Sequence, residues 1–113
     1  MPDGDGFVDA APTDYLEAGE TATVDVDGTP VTIANTGEGW CAFSSNCPHQ
    51  DTPLGGVPLM RKVLLRCPEH GTVFDVTTGE CVLPSDDGWS GPMPTYATRV
   101  IDDVVQVSTS QSA

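Results

Sequence analysis

Two short runs carry most of the reactive side chains in this sequence, Cys47-Pro48-His49 and Cys67-Pro68-Glu69-His70. They use both of the chain's histidines and two of its four cysteines, with seventeen residues between His49 and Cys67. Thiolate and imidazole are both metal donors, so two loops that each offer one of either kind make a four-ligand site. Zinc accepts two Cys and two His, but structural zinc sites usually draw on Cys-x(2 to 4)-Cys and His-x(3 to 5)-His spacings. Here each loop mixes the two donors. Mixing suits a two-iron, two-sulfide cluster in which one iron takes both Cys and the other both His, so that each loop holds both irons. Gly71, directly after His70, and Gly55-Gly56 allow the backbone to turn sharply or to approach a cluster closely. Backbone N–H groups in such loops can donate to the cluster sulfurs and favour the reduced state.

The elements that must position these loops are short strands. Thr21 to Val26 alternates in character, Asp27-Gly28 makes a turn and Pro30 to Ala34 answers it, which is a hairpin pattern. Trp40 to Phe43 forms a further strand that stops at Ser44-Ser45-Asn46, just before the first Cys/His run. Met60 to Arg66 is predicted as the strand before the second run. Thr72 to Val76 and Glu80 to Leu83 flank a turn at Thr77-Thr78-Gly79, and Tyr96 to Ile101 and Val104 to Val107 flank Asp102-Asp103. Nowhere does a helical period persist for the dozen residues a stable helix requires. The fold class is therefore all-β, with strands spaced as in a small barrel or sandwich. The first few residues and 108–113, small and polar with nothing to bury, are expected to be loose, the latter as a flexible tail.

With 113 residues the chain fits one compact domain, 1–113. Twelve Asp and five Glu face one Lys and three Arg, for a formal net charge of -13. Such a charge repels nucleic acid and anionic membranes and is complemented by a basic partner surface. An equal alternative is that it keeps the chain soluble in a salt-rich cytoplasm, where screening shortens the repulsion. No stretch approaches the roughly 20 apolar residues needed to span a bilayer, and the N-terminus lacks the basic and apolar regions of a secretory signal. The expected compartment is the cytoplasm, where four Cys point to metal binding or buried thiols before a disulfide framework.

The runs CPHQDTPLGG and CPEHGTVFDVTTGE closely resemble the two cluster loops of Rieske proteins, in particular the small Rieske-type ferredoxins that serve bacterial ring-hydroxylating dioxygenases. The resemblance covers roughly Trp40 to Leu83, and MPTYATRVIDDVVQV looks like the closing hairpin of those ferredoxins. It implies a small antiparallel β-sandwich or barrel with a two-loop cluster-binding subdomain at about residues 44–84. It also implies one [2Fe-2S] cluster, with Cys47 and Cys67 on the inner iron and His49 and His70 on the outer one. Gly71, Thr72, Gln50 and Pro84 then become its expected neighbours. Pro84, Pro92 and Pro94 look like the family's Pro-bearing loop that shields the cluster, and Gln50 and Pro68 stand beside the ligands as a candidate contact rim.

Departures from the high-potential members of that family also matter. Where those carry an additional Cys in each loop, joined as a disulfide, this chain has Thr52 and Glu69. Where they place Ser and Tyr hydroxyls toward the cluster, it has Thr72 and Phe74. Thr72 can keep one such bond and Phe74 cannot, and each lost donor destabilises the reduced cluster. The resemblance thus implies a potential near the low end of the Rieske range, roughly -150 mV.

The resemblance further implies a soluble, monomeric one-electron carrier, not itself an enzyme, that receives electrons from a flavin-dependent reductase. It would pass them to a terminal aromatic-ring oxygenase, both partners offering basic docking surfaces. With both His assigned to the cluster, no mononuclear iron site of the two-His, one-carboxylate kind can be built. Two alternatives stand beside this reading: a small Rieske subunit of a larger reductase such as nitrite reductase, and a zinc-stabilised interaction module. Cys41 and Cys81 read as small buried hydrophobes whose pairing the sequence leaves open. Trp89, in the acidic loop after Leu83, is either a docking anchor or a cover for the core.

Overall fold

The structure, a computed structural model, describes residues 7–26, 28–46, 53–61, 63–68, 71–84, 88 and 91–108. Among the described residues nine strands run in order: β1 Phe7–Pro12, β2 Thr21–Val26, β3 Thr29–Asn35, β4 Trp40–Ser44, β5 Leu64–Arg66, β6 Val73–Asp75, β7 Cys81–Leu83, β8 Thr95–Ile101 and β9 Val104–Ser108. All pairings are antiparallel, and the described residues contain no helix, so the all-β expectation holds. Six strands form one sheet in the order β1-β9-β8-β4-β3-β2, whose ends β1 and β2 come together so that it nearly closes. Three form a second, small sheet, β5-β6-β7.

β3 and β4 hold the two sheets together because each is buried on both faces. Val31 and Ile33 on β3 and Ala42 on β4 enter the interior of the large sheet with Val26, Val107, Ala11 and Leu16. The alternate residues Ala34 and Phe43 face the small sheet and pack with Leu54, Leu65, Cys67, Phe74, Val76 and Met93. The two-residue period of a strand thus feeds two cores from one stretch of chain. Thr32, fully buried among these residues, donates its hydroxyl to the Ser44 carbonyl at 3.0 Å, which satisfies an otherwise costly polar group.

The structure departs from the sequence reading at three places, the first a stretch to which no element was assigned. Phe7–Pro12 is a strand, β1, although the N-terminal stretch carries no alternating pattern. Its register with β9 shifts between Asp9 and Ala11, and such a bulge destroys the period that would have marked it. Side chains tie it in place: Gln106 Nε2 donates to Asp9 Oδ1 at 2.7 Å, Arg99 Nε donates to Gln106 Oε1 at 2.7 Å, and the Arg99 guanidinium lies 4.2 Å from the Phe7 ring centroid. Arg99→Ala is expected to cost about 1 kcal/mol of stability, read as a lower denaturant midpoint with an unchanged slope; no change would show that β9 backbone pairing alone holds β1.

Ser108 is the second correction. Expected to begin the loose tail, it ends β9, only 5% exposed and paired with both Phe7 and Ala97. Residues 109–113 and 1–6 lie outside the described part. The third concerns Met60 to Arg66, which is not one strand. Met60 and Leu64 exchange both backbone bonds, at 2.6 and 2.9 Å, across a tight turn in which Arg61 has φ +48°, and only Leu64–Arg66 continues as β5. Apolar residues on both sides of a turn look like one strand when the turn lacks Gly or Pro.

Candidate metal centre

The two predicted loops are closed at their bases by backbone bonds. At the first, Asn46 bridges Pro53, Leu54 N–H donates to the Ser45 carbonyl at 3.0 Å, and Ser44 Oγ donates to the Asn46 carbonyl at 2.7 Å. Beyond it the chain is pinned to β2: Gly56 N–H donates to the Thr21 carbonyl at 3.1 Å and Thr21 Oγ1 donates to the Val57 carbonyl at 2.7 Å. At the second, Cys67 N–H donates to the Thr72 carbonyl at 2.7 Å, and Gly71 N–H returns to the Cys67 carbonyl at 3.0 Å. Gly71 turns the chain with φ +75°, a conformation that glycine adopts without strain.

Both bases converge on one core. Leu54, just past the first loop, and Cys67, at the start of the second, are each fully buried in the cluster that includes Phe43, Phe74 and Met93. A third segment joins them, since Ser44 N–H donates to the Pro94 carbonyl at 3.0 Å and Met93 N–H donates to the Gly79 carbonyl at 2.8 Å. The described flanks of the expected cluster loops, at Ser44 to Asn46 with Leu54, at Cys67 with Thr72, and at Met93-Pro94, thus meet around one core.

Of the predicted ligands, Cys67 is placed: buried, a free thiol, at the loop base. Cys47, His49 and His70 lie outside the described residues, as do Gln50, Thr52, Glu69 and Trp89. Among the described residues no group of three His, Cys, Asp or Glu side chains gathers. Thr72 is fully buried beside Cys67, and Phe74 is fully buried in the core. Pro84 and Pro68 are exposed, Pro84 directly after β7. Cys41 and Cys81 are both free thiols, partly buried against the same core, which answers the open question of their pairing. Burial, and secondarily the Asp75 carboxylate, push the Cys41 thiol up to about 11, so it stays protonated and unreactive at neutral pH.

Two features escaped the sequence reading. Arg66 is exposed, yet its guanidinium lies over Gly71, with Nη2 3.3 Å and Nε 3.7 Å from the point a Cβ on that glycine would occupy. Val82 and Leu83 are 52% and 55% exposed on the edge strand β7. A cleft of about 360 Å³ is lined by residues that include Trp40, Cys41, Val63, Thr77 and Tyr96, and among the described residues Cys67, Gly71, Thr72 and Pro84 do not border it.

Fold and sequence together define a class: a small two-sheet β protein in which the residues flanking two Cys/His runs pack into one buried core. The donor set of two Cys and two His fits a [2Fe-2S] cluster, and the buried Cys67 thiol and the glycine-closed second loop suit one iron ligand and its tight approach. The family model of the Rieske [2Fe-2S] domain matches residues 6–96, and the chain belongs to that family. No curated protein sequence matches it. Among solved structures it is similar to the ferredoxin of carbazole 1,9a-dioxygenase from Nocardioides aromaticivorans IC177, with 27% identity over 90% of this chain and 96% of that one and a TM-score of 0.78. A chain from the complex of reduced oxygenase and oxidized ferredoxin in carbazole 1,9a-dioxygenase matches with 21% identity, 97% and 99% coverage and a TM-score of 0.83. A protein described as a nitrite reductase NADPH small subunit matches with 21% identity, 89% and 96% coverage and a TM-score of 0.70. A domain of this family holds an iron-sulfur cluster and serves electron transfer.

Proposed function

We propose that this chain is a soluble, monomeric ferredoxin that carries one electron at a time on a Rieske [2Fe-2S] cluster, from a flavin-dependent reductase to a terminal aromatic-ring oxygenase in the cytoplasm. Cys47 and Cys67 hold the inner iron, and His49 and His70 hold the outer iron. Thr72, Gly71, Gln50 and Pro84 border the cluster. The cluster supplies the redox change; the chain keeps its ligands in place, excludes water from the thiolate side through Leu54, Phe74 and Met93, and leaves the imidazole side toward a partner. The carrying observation is the convergence of both loop bases on the core that buries Cys67. The similarity to a dioxygenase ferredoxin supports the choice of system, and the charge of -13 supports basic docking surfaces on both partners.

The likeness to a nitrite reductase small subunit favours a second reading, a Rieske subunit held permanently in a larger reductase. A carrier purifies alone as a stable monomer, whereas a subunit aggregates without its partner. Electron paramagnetic resonance of the chemically reduced protein, with iron and zinc assayed on the same sample, tests the cluster itself. The expected result is a rhombic signal of low average g, two irons per chain, and a potential near roughly -150 mV. A silent sample containing zinc sinks the reading, and a potential well above zero removes the low-potential carrier.

A further inference from the structure

Three of the chain's four Lys and Arg residues, Arg61, Lys62 and Arg66, fall within six positions immediately before the second Cys/His run, in a chain with seventeen carboxylates. The fourth, Arg99, is committed to Gln106 and the Phe7 ring on the large sheet. Arg66 ends β5, opposite Val73. Its neighbour Leu65 is fully buried in the core, so the strand alternation turns Arg66 to the other face. There Gly71 lies against it. Nη2, Nε and Cζ lie 3.3, 3.7 and 3.8 Å from the Cβ position of Gly71, so the guanidinium covers the residue that directly follows His70. A side chain at Gly71 would press on the guanidinium, so the glycine allows the close approach.

We propose that Arg66 sets the reduction potential of the cluster, by holding a positive charge against the loop that carries the outer-iron ligand and so favouring the reduced form. The inference rests on the cluster assignment proposed above. Reduction adds one electron and one negative charge to the cluster, with no bond made or broken in the protein. A fixed cation nearby stabilises the more negative form more than the oxidised one. Arg66 thereby offsets, close to the metal, part of the negative field of an acidic chain. Arg suits the position because its planar, delocalised guanidinium is weakly hydrated and can lie against a peptide.

The test uses the intact cluster-loaded chain and the variants Arg66→Gln, Arg66→Lys and Arg66→Met, the last a second neutral replacement in case the first does not fold. Visible and paramagnetic resonance spectra first establish that each holds the cluster, and electrode titration with mediators at low and at molar salt then gives the potentials. The neutral variants are expected to lower the equilibrium constant for reduction three- to tenfold at low salt, about 30 to 60 mV at 59 mV per tenfold. Arg66→Lys should retain more than half of the wild-type advantage, and molar salt should narrow the gap, because an exposed charge is screened. A neutral variant with an intact cluster and the wild-type potential at low salt overturns the proposal. So does an Arg66→Lys potential as low as that of the neutral variants, which would assign the effect to loop packing. A wild-type chain without iron fails the cluster assignment instead, a result separable from either.

Discussion

Cys67→Ser is expected to reduce bound iron from two atoms per chain to almost none, with loss of the visible absorption and of the paramagnetic signal. A serine hydroxyl is a poor ligand at neutral pH, and the position is fully buried in the core. The loss should spread beyond the ligand. Cys67 also packs with Leu54, Leu65 and Phe74, and a buried hydroxyl without a metal leaves a polar group to satisfy. Cys81→Ala is the control. That thiol is free, only partly buried, and donates to the Leu83 carbonyl at 3.4 Å, so its loss should leave the iron content unchanged. Iron assays and visible spectra of the two variants decide the matter, and full iron in Cys67→Ser would remove this residue from the ligand set.

Gly79→Ala is expected to destabilise the protein by about 2 to 5 kcal/mol, a large share of the total for a domain of this size. Gly79 is buried with φ +82°, in the left-handed region where a Cβ is strained. The added methyl would also run into the Met93 carbonyl oxygen, a backbone atom. Met93 cannot simply retreat, because its N–H donates to the Gly79 carbonyl at 2.8 Å and its side chain is buried in the core that holds Cys67. Gly28→Ala offers the comparison, with φ +87° and open space around the missing Cβ. It should cost only the conformational strain, about 1 kcal/mol. Thermal melts of both variants test this, and equal losses would show that the contact with Met93 contributes nothing.

The elements legible in the sequence were those whose turns declare themselves. The β2–β3 hairpin followed from Asp27-Gly28, and Gly28 N–H donates to Asp25 Oδ1 at 2.7 Å in the folded chain. The β6–β7 connection followed from Thr77-Thr78-Gly79, where Asp75 Oδ1 accepts from the Thr77 N–H at 2.9 Å and Gly79 N–H returns to the Asp75 carbonyl at 2.7 Å. β1 stayed hidden because its bulge removes the period, and the Met60–Leu64 turn stayed hidden because Arg61 takes φ +48° without being Gly or Asn. For the site, paired donors at fixed spacing and a following glycine were enough to nominate Cys67 and Gly71. Arg66 was not legible, since a charged residue beside a cysteine resembles any solvated position until Gly71 lies against it. The exposure of Val82 and Leu83 was equally invisible, because large apolar residues in a strand predict burial.

The outer strands of the small sheet are short, Leu64 of one is already paired with Met60, and this bears on how concentrated the protein can become. β5 and β7 are each three residues long. β5 carries Arg66, while β7 pairs through an irregular register and runs directly into Pro84, which has no N–H to offer. A margin so brief, charged on one side and interrupted on the other, gives an incoming strand from another molecule too few consecutive partners to zip onto. The small sheet is thereby protected against self-templating by the shortness of its outer strands.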